Sequence, residues 1–209
     1  MPRLTSGTFI SFEGIEGSGK STLMAAVERA LRAEGRDVLV TREPGGTPAG
    51  DRVRSIFLDP ELSLRPVSEV LLVNASRAEL VASVILPALE RDAVVLCDRY
   101  VHSTLAYQSY GRGLPLDLVR SLCDAATGGL MPDLTLLTDV SHETSRERLA
   151  NRGAIHDRVE REPVAFHNRV REGFLDLARH DPRLVALDAE RSQEEVLDAA
   201  MAALSAVIA

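Results

Sequence analysis

Short apolar runs alternate along this chain with longer stretches in which apolar residues recur every three or four positions. Thr8 to Glu13 reads as a strand, and a Gly-rich turn separates it from a helix over about 20–34. Asp37 to Thr41 reads as a second strand. Ala93 to Cys97 is a third, continuously apolar as expected of a strand buried on both faces. Leu134 to Val140 and Arg183 to Leu187 supply a fourth and a fifth. Helical periodicity covers Val67 to Glu90, with a bend expected before Pro87. It returns at Ser103 to Tyr110, Leu116 to Thr127, Glu143 to Asn151, Pro163 to Arg179 and from Gln193 to the end. This alternation predicts an α/β fold: a five-stranded parallel sheet flanked by helices on both faces, in three layers. No repeat, low-complexity tract or linker interrupts it, so residues 1–209 read as one domain.

Composition narrows the function classes. With 209 residues, 45% of them apolar and 26% charged, the chain suits one soluble domain. A net charge of −7 disfavours broad binding to a nucleic-acid backbone, although arginines that converge locally can still hold an anionic ligand. No nucleic acid is therefore expected as partner; nor is a membrane, since no long uninterrupted apolar run is present, and without a signal-peptide layout at Met1 to Gly7 the cytoplasm is the expected compartment. Cys97 and Cys123 cannot build a disulfide framework and lack zinc-site spacing; Cys97 reads as a small buried hydrophobe.

The chemistry begins at Gly14-Ile15-Glu16-Gly17-Ser18-Gly19-Lys20-Ser21, which fits G-x-x-x-x-G-K-[ST] at every constrained position, after a strand and before a helix. Glycines let successive N–H groups turn inward around phosphate oxygens, and the following helix, through Thr22, adds unpaired N–H groups and a partial positive charge. Lys20 can reach the outer phosphates of a nucleoside triphosphate, and the Ser21 hydroxyl is placed to ligate Mg²⁺. The spacing is not that of a dinucleotide-binding turn. Asp98 follows a buried strand, where a carboxylate helps hold the Mg²⁺ shell and can also cap the next helix. Arg99, Ser103 and Tyr107 are spaced four apart, so in a helix they form one polar stripe over that strand end.

Further segments resemble the thymidylate kinase family. Thr41-Arg42-Glu43-Pro44-Gly45-Gly46-Thr47 is similar to its T-R-E-P-G-G-T segment. Asp98-Arg99-Tyr100, Ser103, Ala106-Tyr107-Gln108 and Gly111-Arg112-Gly113-Leu114 resemble its D-R-Y-x-x-S-x-x-A-Y-Q…G-R-G-L. Pro132 to Leu136 and Asp157-Arg158-Val159-Glu160 extend the similarity. The resemblance implies a P-loop NTPase fold, transfer of the γ-phosphate of ATP to thymidine monophosphate with Mg²⁺, and a homodimer. It implies that Glu16 approaches the sugar 3′-hydroxyl, that Arg42 and Arg99 hold the acceptor phosphate, and that Arg77 reads the base edge. Ser103, Tyr107 and Gln108 are expected to line the nucleoside pocket.

Arg146, Arg148, Arg152 and Arg158 cluster in a segment, about 146–160, that resembles the family's lid. Gly17 stands where some members carry a basic loop residue, so Arg148, Arg152 and Arg158 are expected to supply catalytic charge, together with Lys20 and Arg99. Ala150 falls where relatives carry a further arginine. The family commonly stacks a phenylalanine on thymine, and this chain has Val73 there; Phe57 is a candidate replacement ring. Two other readings compete: a kinase of the same fold acting on another nucleoside monophosphate or nucleoside, and a regulatory nucleotide-binding protein without turnover.

Overall fold

The computed structural model describes residues 6–151 and 157–208. Five strands, Thr8–Glu13 (β1), Val38–Arg42 (β2), Val94–Asp98 (β3), Leu134–Asp139 (β4) and Leu184–Asp188 (β5), form one parallel sheet in the order β2-β3-β1-β4-β5. Successive side chains point to opposite faces, so each strand feeds two cores. Phe9, Val95, Cys97 and Leu137 enter one, while Ile10, Phe12, Leu96 and Leu136 enter the other. All these residues are fully buried, which is why the strands read as unbroken apolar runs.

The second core is closed by Lys20–Ala33 (α1) through Leu23, Val27 and Leu31, and by Gln193–Leu204 (α9) through Val196, Ala200 and Leu204. A capping box between Ser192 and Glu195 starts α9. Pro66–Leu80 (α3), Leu116–Thr127 (α6) and Val164–His180 (α8) cover the first core with Val70, Val73, Val119, Phe166, Val170 and Phe174. The stretch Pro66–Glu90 is long and apolar enough by composition to cross a membrane. Here it packs against the core and carries Glu69 and Arg77 in buried ion pairs.

Three features depart from the periodicity. Pro48–Leu58 forms a helix (α2) that was not expected, because only one side of it is apolar and its first turn holds Gly50 and Asp51. Its start was legible all the same: the Thr47 side chain accepts from the Gly50 N–H at 2.9 Å, and proline follows the cap. The bend before Pro87 takes the form of a π-helical turn, Val81–Ile85, leading into Leu86–Glu90 (α4). Proline lacks the N–H that an α-helical bond would need, and one wider turn absorbs the mismatch. The helix expected at 103–110 begins as Val101–Thr104 (α5) and continues as a π-helical segment, Leu105–Gly111. His142–Ala150 (α7) is capped by Ser141, whose hydroxyl accepts from the Thr144 N–H.

Parallel strands bring their carboxyl ends to one edge. Arg42, Asp98 and Phe12 are level in register there, immediately before the loops that carry the motifs.

Candidate active site

At that edge the loop after β1 has a left-handed or extended-positive backbone at Gly14 (φ 137°), Gly17 (φ 71°) and Gly19 (φ 96°). Gly14 also has no room for a side chain, since a Cβ would lie 2.5 Å from the Thr138 carbonyl oxygen. Lys20, only 7% exposed, folds back over the loop and donates to the carbonyl oxygens of Gly14 (3.0 Å) and Ile15 (2.9 Å). Burial pushes its pKa down to about 8, with Arg99 adding to the fall against the pull of Asp98, Glu16 and Glu13. Lys20 deprotonates above that value in the free enzyme, whereas adjacent phosphates would hold its proton once a nucleotide is bound. The expected result is a kcat/KM for ATP that falls above about pH 8 while kcat stays level to higher pH. Rate profiles against ATP concentration check it; a kcat/KM level to about pH 9.5 would contradict the shift.

Ser21 and Thr22 are exposed beside the loop, and Asp98 stands on the neighbouring strand end with its Oδ1 buried and without a hydrogen-bond partner among the described residues. An orphaned carboxylate oxygen and exposed hydroxyls at the same sheet edge are hard-oxygen donors of the kind that suit Mg²⁺, which takes most of its shell from phosphates and water. Among the described residues no group of three or more His, Cys, Asp or Glu side chains converges to cage a metal alone. The residues present fit the ion.

The turn after β3 is tied to the phosphate loop. Arg99 adopts φ 70°, rare for a residue with a side chain, and its N–H donates to the Phe12 carbonyl at 2.9 Å. Glu13, the fully buried last residue of β1, accepts from the Tyr100 N–H (2.8 Å) and the Ser103 hydroxyl. Burial raises the Glu13 pKa, opposed by His102, Ser103 and Arg99. So held, Arg99 donates to the Gly14 carbonyl, to Ser103 Oγ (both 3.0 Å) and to Glu16 Oε1 (2.8 Å), and its guanidinium lies 5.0 Å over the Tyr107 ring. The Tyr107 hydroxyl donates to both Glu16 oxygens at 2.8 Å. Burial would raise the Glu16 pKa, but Arg99 and then Lys20 prevail and lower it, so the carboxylate is charged at neutral pH. The expected stripe of Arg99, Ser103 and Tyr107 is therefore real, and it joins Glu16 of the phosphate loop.

This cluster forms one wall of a cavity of about 180 Å³ that also takes in Glu43, Arg54, Phe57, Val73, Arg77, Thr104 and Gln108. Arg77 is 1% exposed, and all five of its N–H groups are engaged. Nε and Nη2 reach Glu43 Oε2 (2.8 and 2.6 Å), Nη2 reaches Thr104 Oγ1, and Nη1 reaches Asn74 Oδ1 and the Cys123 sulfur. Glu43 Oε1 has no partner among the described residues, and burial pushes the Glu43 pKa up to about 7 against the opposing charge of Arg77. Val73 and Phe57 are both in the lining, and the Arg158 guanidinium stacks on Phe57, 5.1 Å from the ring centre.

Arg42 is more than half exposed, 3.6 Å from Asp51, and stands outside the cavity lining, whereas Arg54 is within it. Burial lowers the Arg54 pKa, and the charges of Arg42 and Arg99 lower it further, so Arg54 and Arg99 line the cavity with a third guanidinium outside it despite the net negative chain. Sequence reasoning missed Arg54, Glu43, Thr104 and Asp157 as lining residues, while Phe57, named as a candidate ring, is in the lining. For Arg54 the signal was the Thr47-Pro48 helix start, which sets it on the site face of α2. Glu43 and Thr104 lay inside segments already singled out.

A second cavity, of about 350 Å³, lies on the other side of the loop and is lined by Gly19, Thr22, Arg29, Arg148, Arg191 and Gln193, among others. Arg148 donates to the Ala189 carbonyl at 2.9 Å, and Ser145 Oγ donates to the Glu16 carbonyl at 2.7 Å, docking α7 on the phosphate loop. Ser18 Oγ is 2.7 Å from Thr138 Oγ1. Arg158 donates from Nε to the Phe57 carbonyl and from Nη1 to Glu69, so it is engaged at the acceptor wall. Arg152 lies outside the described residues.

Comparison with known proteins shows what the whole chain is similar to. The sequence profile described as thymidylate kinase matches residues 12–200. A thymidylate kinase of Deinococcus radiodurans is 51% identical over 203 residues, covering 97% of this chain and 98% of that protein. One of Syntrophotalea carbinolica is 48% identical over 90% of each. Among solved structures, the thymidylate kinase of Ehrlichia chaffeensis superimposes with a TM-score of 0.76 at 32% identity, covering 95% of this chain and 98% of that one.

Proposed function

This chain belongs to the thymidylate kinase family, and we infer its reaction from that premise: it transfers the γ-phosphoryl group of ATP to thymidine 5′-monophosphate, giving dTDP and ADP. The observation that carries the mechanism is the bridge from the phosphate loop to the acceptor cavity, Glu16–Arg99–Tyr107. Loop amides from Gly14 to Thr22, Lys20 and Arg148 grip the triphosphate on one side, with the larger cavity beyond α1 open to its base. Arg99, Arg54 and Arg42 draw the acceptor phosphate to the other. That phosphate is already an anion, so the protein must position and neutralise rather than abstract a proton. Mg²⁺ held by Ser21 and Asp98 would neutralise charge on the phosphate oxygens during transfer. Glu16, ionised, accepts the 3′-hydroxyl, and Tyr107 crowds a ribose 2′-hydroxyl.

The segment 146–160 is the lid of a single domain in this reading, with Arg148 and Arg152 assigned to the transferring group, whereas Arg158, held by Glu69 and the Phe57 carbonyl, belongs to the acceptor wall instead. Phe57, with Arg158 behind it, is the ring that covers the base where Val73 is too small. Phe57→Ala should raise KM for dTMP about tenfold with kcat nearly unchanged, as for loss of a stacked ring. An unchanged KM would remove Phe57 from the base site.

Apolar residues exposed on α2, α3 and α6, Ile56, Val67, Leu71 and Leu118, support a homodimer packed through helices. Sedimentation at the monomer mass would contradict that assembly. A cytoplasmic enzyme of nucleotide synthesis is the setting this reaction implies. ADP release measured across nucleoside monophosphates tests the reaction itself. dTMP should be the preferred acceptor, and activity confined to a ribonucleotide would overturn the assignment.

A further inference from the structure

Glu69 is 1% exposed on α3, yet three side chains from two other parts of the chain, Gln108 and Arg112 from one and Arg158 from another, meet its carboxylate. Arg158 Nη1 reaches Oε1, Arg112 reaches Oε2 through Nε (3.0 Å) and Oε1 through Nη2 (2.9 Å), and Gln108 Nε2 reaches Oε2 (3.2 Å). Arg112 is fixed in turn by Glu162 and by stacking 4.6 Å over Phe166. A carboxylate between two guanidiniums offers only acceptors, so the Gln108 amide has one orientation: NH₂ toward Glu69 and Oε1 away from it. Gln108 is 3% exposed and lines the acceptor cavity, and its Oε1 takes no hydrogen bond among the described residues.

We propose that Glu69 is a positioning residue for base selection: by turning the Gln108 amide, it makes the cavity present an acceptor to position 3 of the pyrimidine. Thymine and uracil carry N3–H and donate to that oxygen. Cytosine carries a bare N3 lone pair and meets it acceptor to acceptor, leaving two buried groups unpaired. Glu69 touches no substrate; it acts through Gln108. The inference rests on the dTMP kinase reading and deepens it.

Glu69→Gln tests it. Its single amide oxygen stays with Arg158 and Arg112 Nη2, so its NH₂ takes the place of Oε2, giving up the bond from Arg112 Nε and facing Gln108, whose amide then flips and offers N–H groups to the base. The ratio of kcat/KM for dTMP to that for dCMP should fall about tenfold or more relative to wild type, with dUMP following dTMP. Glu69→Asp, which keeps the acceptor-only character, should restore most of the ratio. If Glu69→Gln lowers both substrates equally, Glu69 is merely structural and the proposal fails. Should that variant not fold, the same ratio is read on Gln108→Leu, which leaves both arginine pairs with Glu69 intact. Discrimination retained there equally overturns the proposal. Wild-type turnover of dTMP is measured first: its absence would sink the reaction, whereas turnover with unaltered discrimination sinks only the role of Glu69.

Discussion

Lys20→Ala lowers turnover by about 10²- to 10⁴-fold while dTMP binds within a few-fold of wild type. Lys20 is held across the phosphate loop by two carbonyl oxygens, inside a buried setting in which its charge is already partly suppressed. A cation so placed is poised to gain its full value when phosphate oxygens replace those carbonyls. It acts where negative charge spreads over the outer phosphates, and the barrier rises when it is removed. The acceptor cavity is built from Arg99, Arg77 and Gln108 on other elements, so acceptor affinity survives. Single-turnover rates and dTMP titration check both halves. A kcat within tenfold of wild type would remove Lys20 from the catalytic set.

Arg99→Gly reduces kcat/KM for dTMP by about 10³-fold, and glycine is the informative replacement. The backbone at this position has φ 70°, which glycine adopts without strain and alanine does not, so the variant isolates the side chain. Losing the guanidinium takes away the centre of the Glu16–Tyr107–Ser103 cluster and leaves the Glu16 carboxylate charged with only the Tyr107 hydroxyl and Lys20 near it. Two effects combine: the acceptor phosphate loses a planar two-pronged donor, and a naked carboxylate now repels it. Arg99→Lys should recover little, because an ammonium cannot donate to Gly14, Ser103 and Glu16 along one plane. KM for ATP should stay within a few-fold in both. A dTMP kcat/KM within tenfold of wild type in the glycine variant would contradict the assignment.

Much of this was legible beforehand because the determining interactions are local. Strand starts were offset by at most one residue, since a buried parallel strand leaves a continuous apolar run such as Val94 to Cys97. Gly14, Gly17 and Gly19 declared a phosphate loop because only glycine suits those backbone angles. Ser103 and Tyr107 do share a helical face, but Arg99 precedes the helix with φ 70° and reaches them through its guanidinium, so helical spacing named the right three residues for only part of the right reason. Other parts were hidden because they depend on residues far apart. Arg77 and Glu43 are separated by 34 positions, and nothing in either segment says that all five guanidinium donors would be taken up. Phe57 was singled out only as a candidate ring, and nothing near it in the chain says that Arg158, 101 positions on, packs against it.

By itself, then, the chain's order of residues determined the layers, the phosphate loop and the family of reaction, since backbone angle, periodicity and short motifs are set by near neighbours. Which way an amide faces, which arginine points into the acceptor cavity and which carboxylate carries charge were decided only by folding. Those properties arise from burial and from partners such as Glu69 with Arg112 and Arg158, brought together across the molecule.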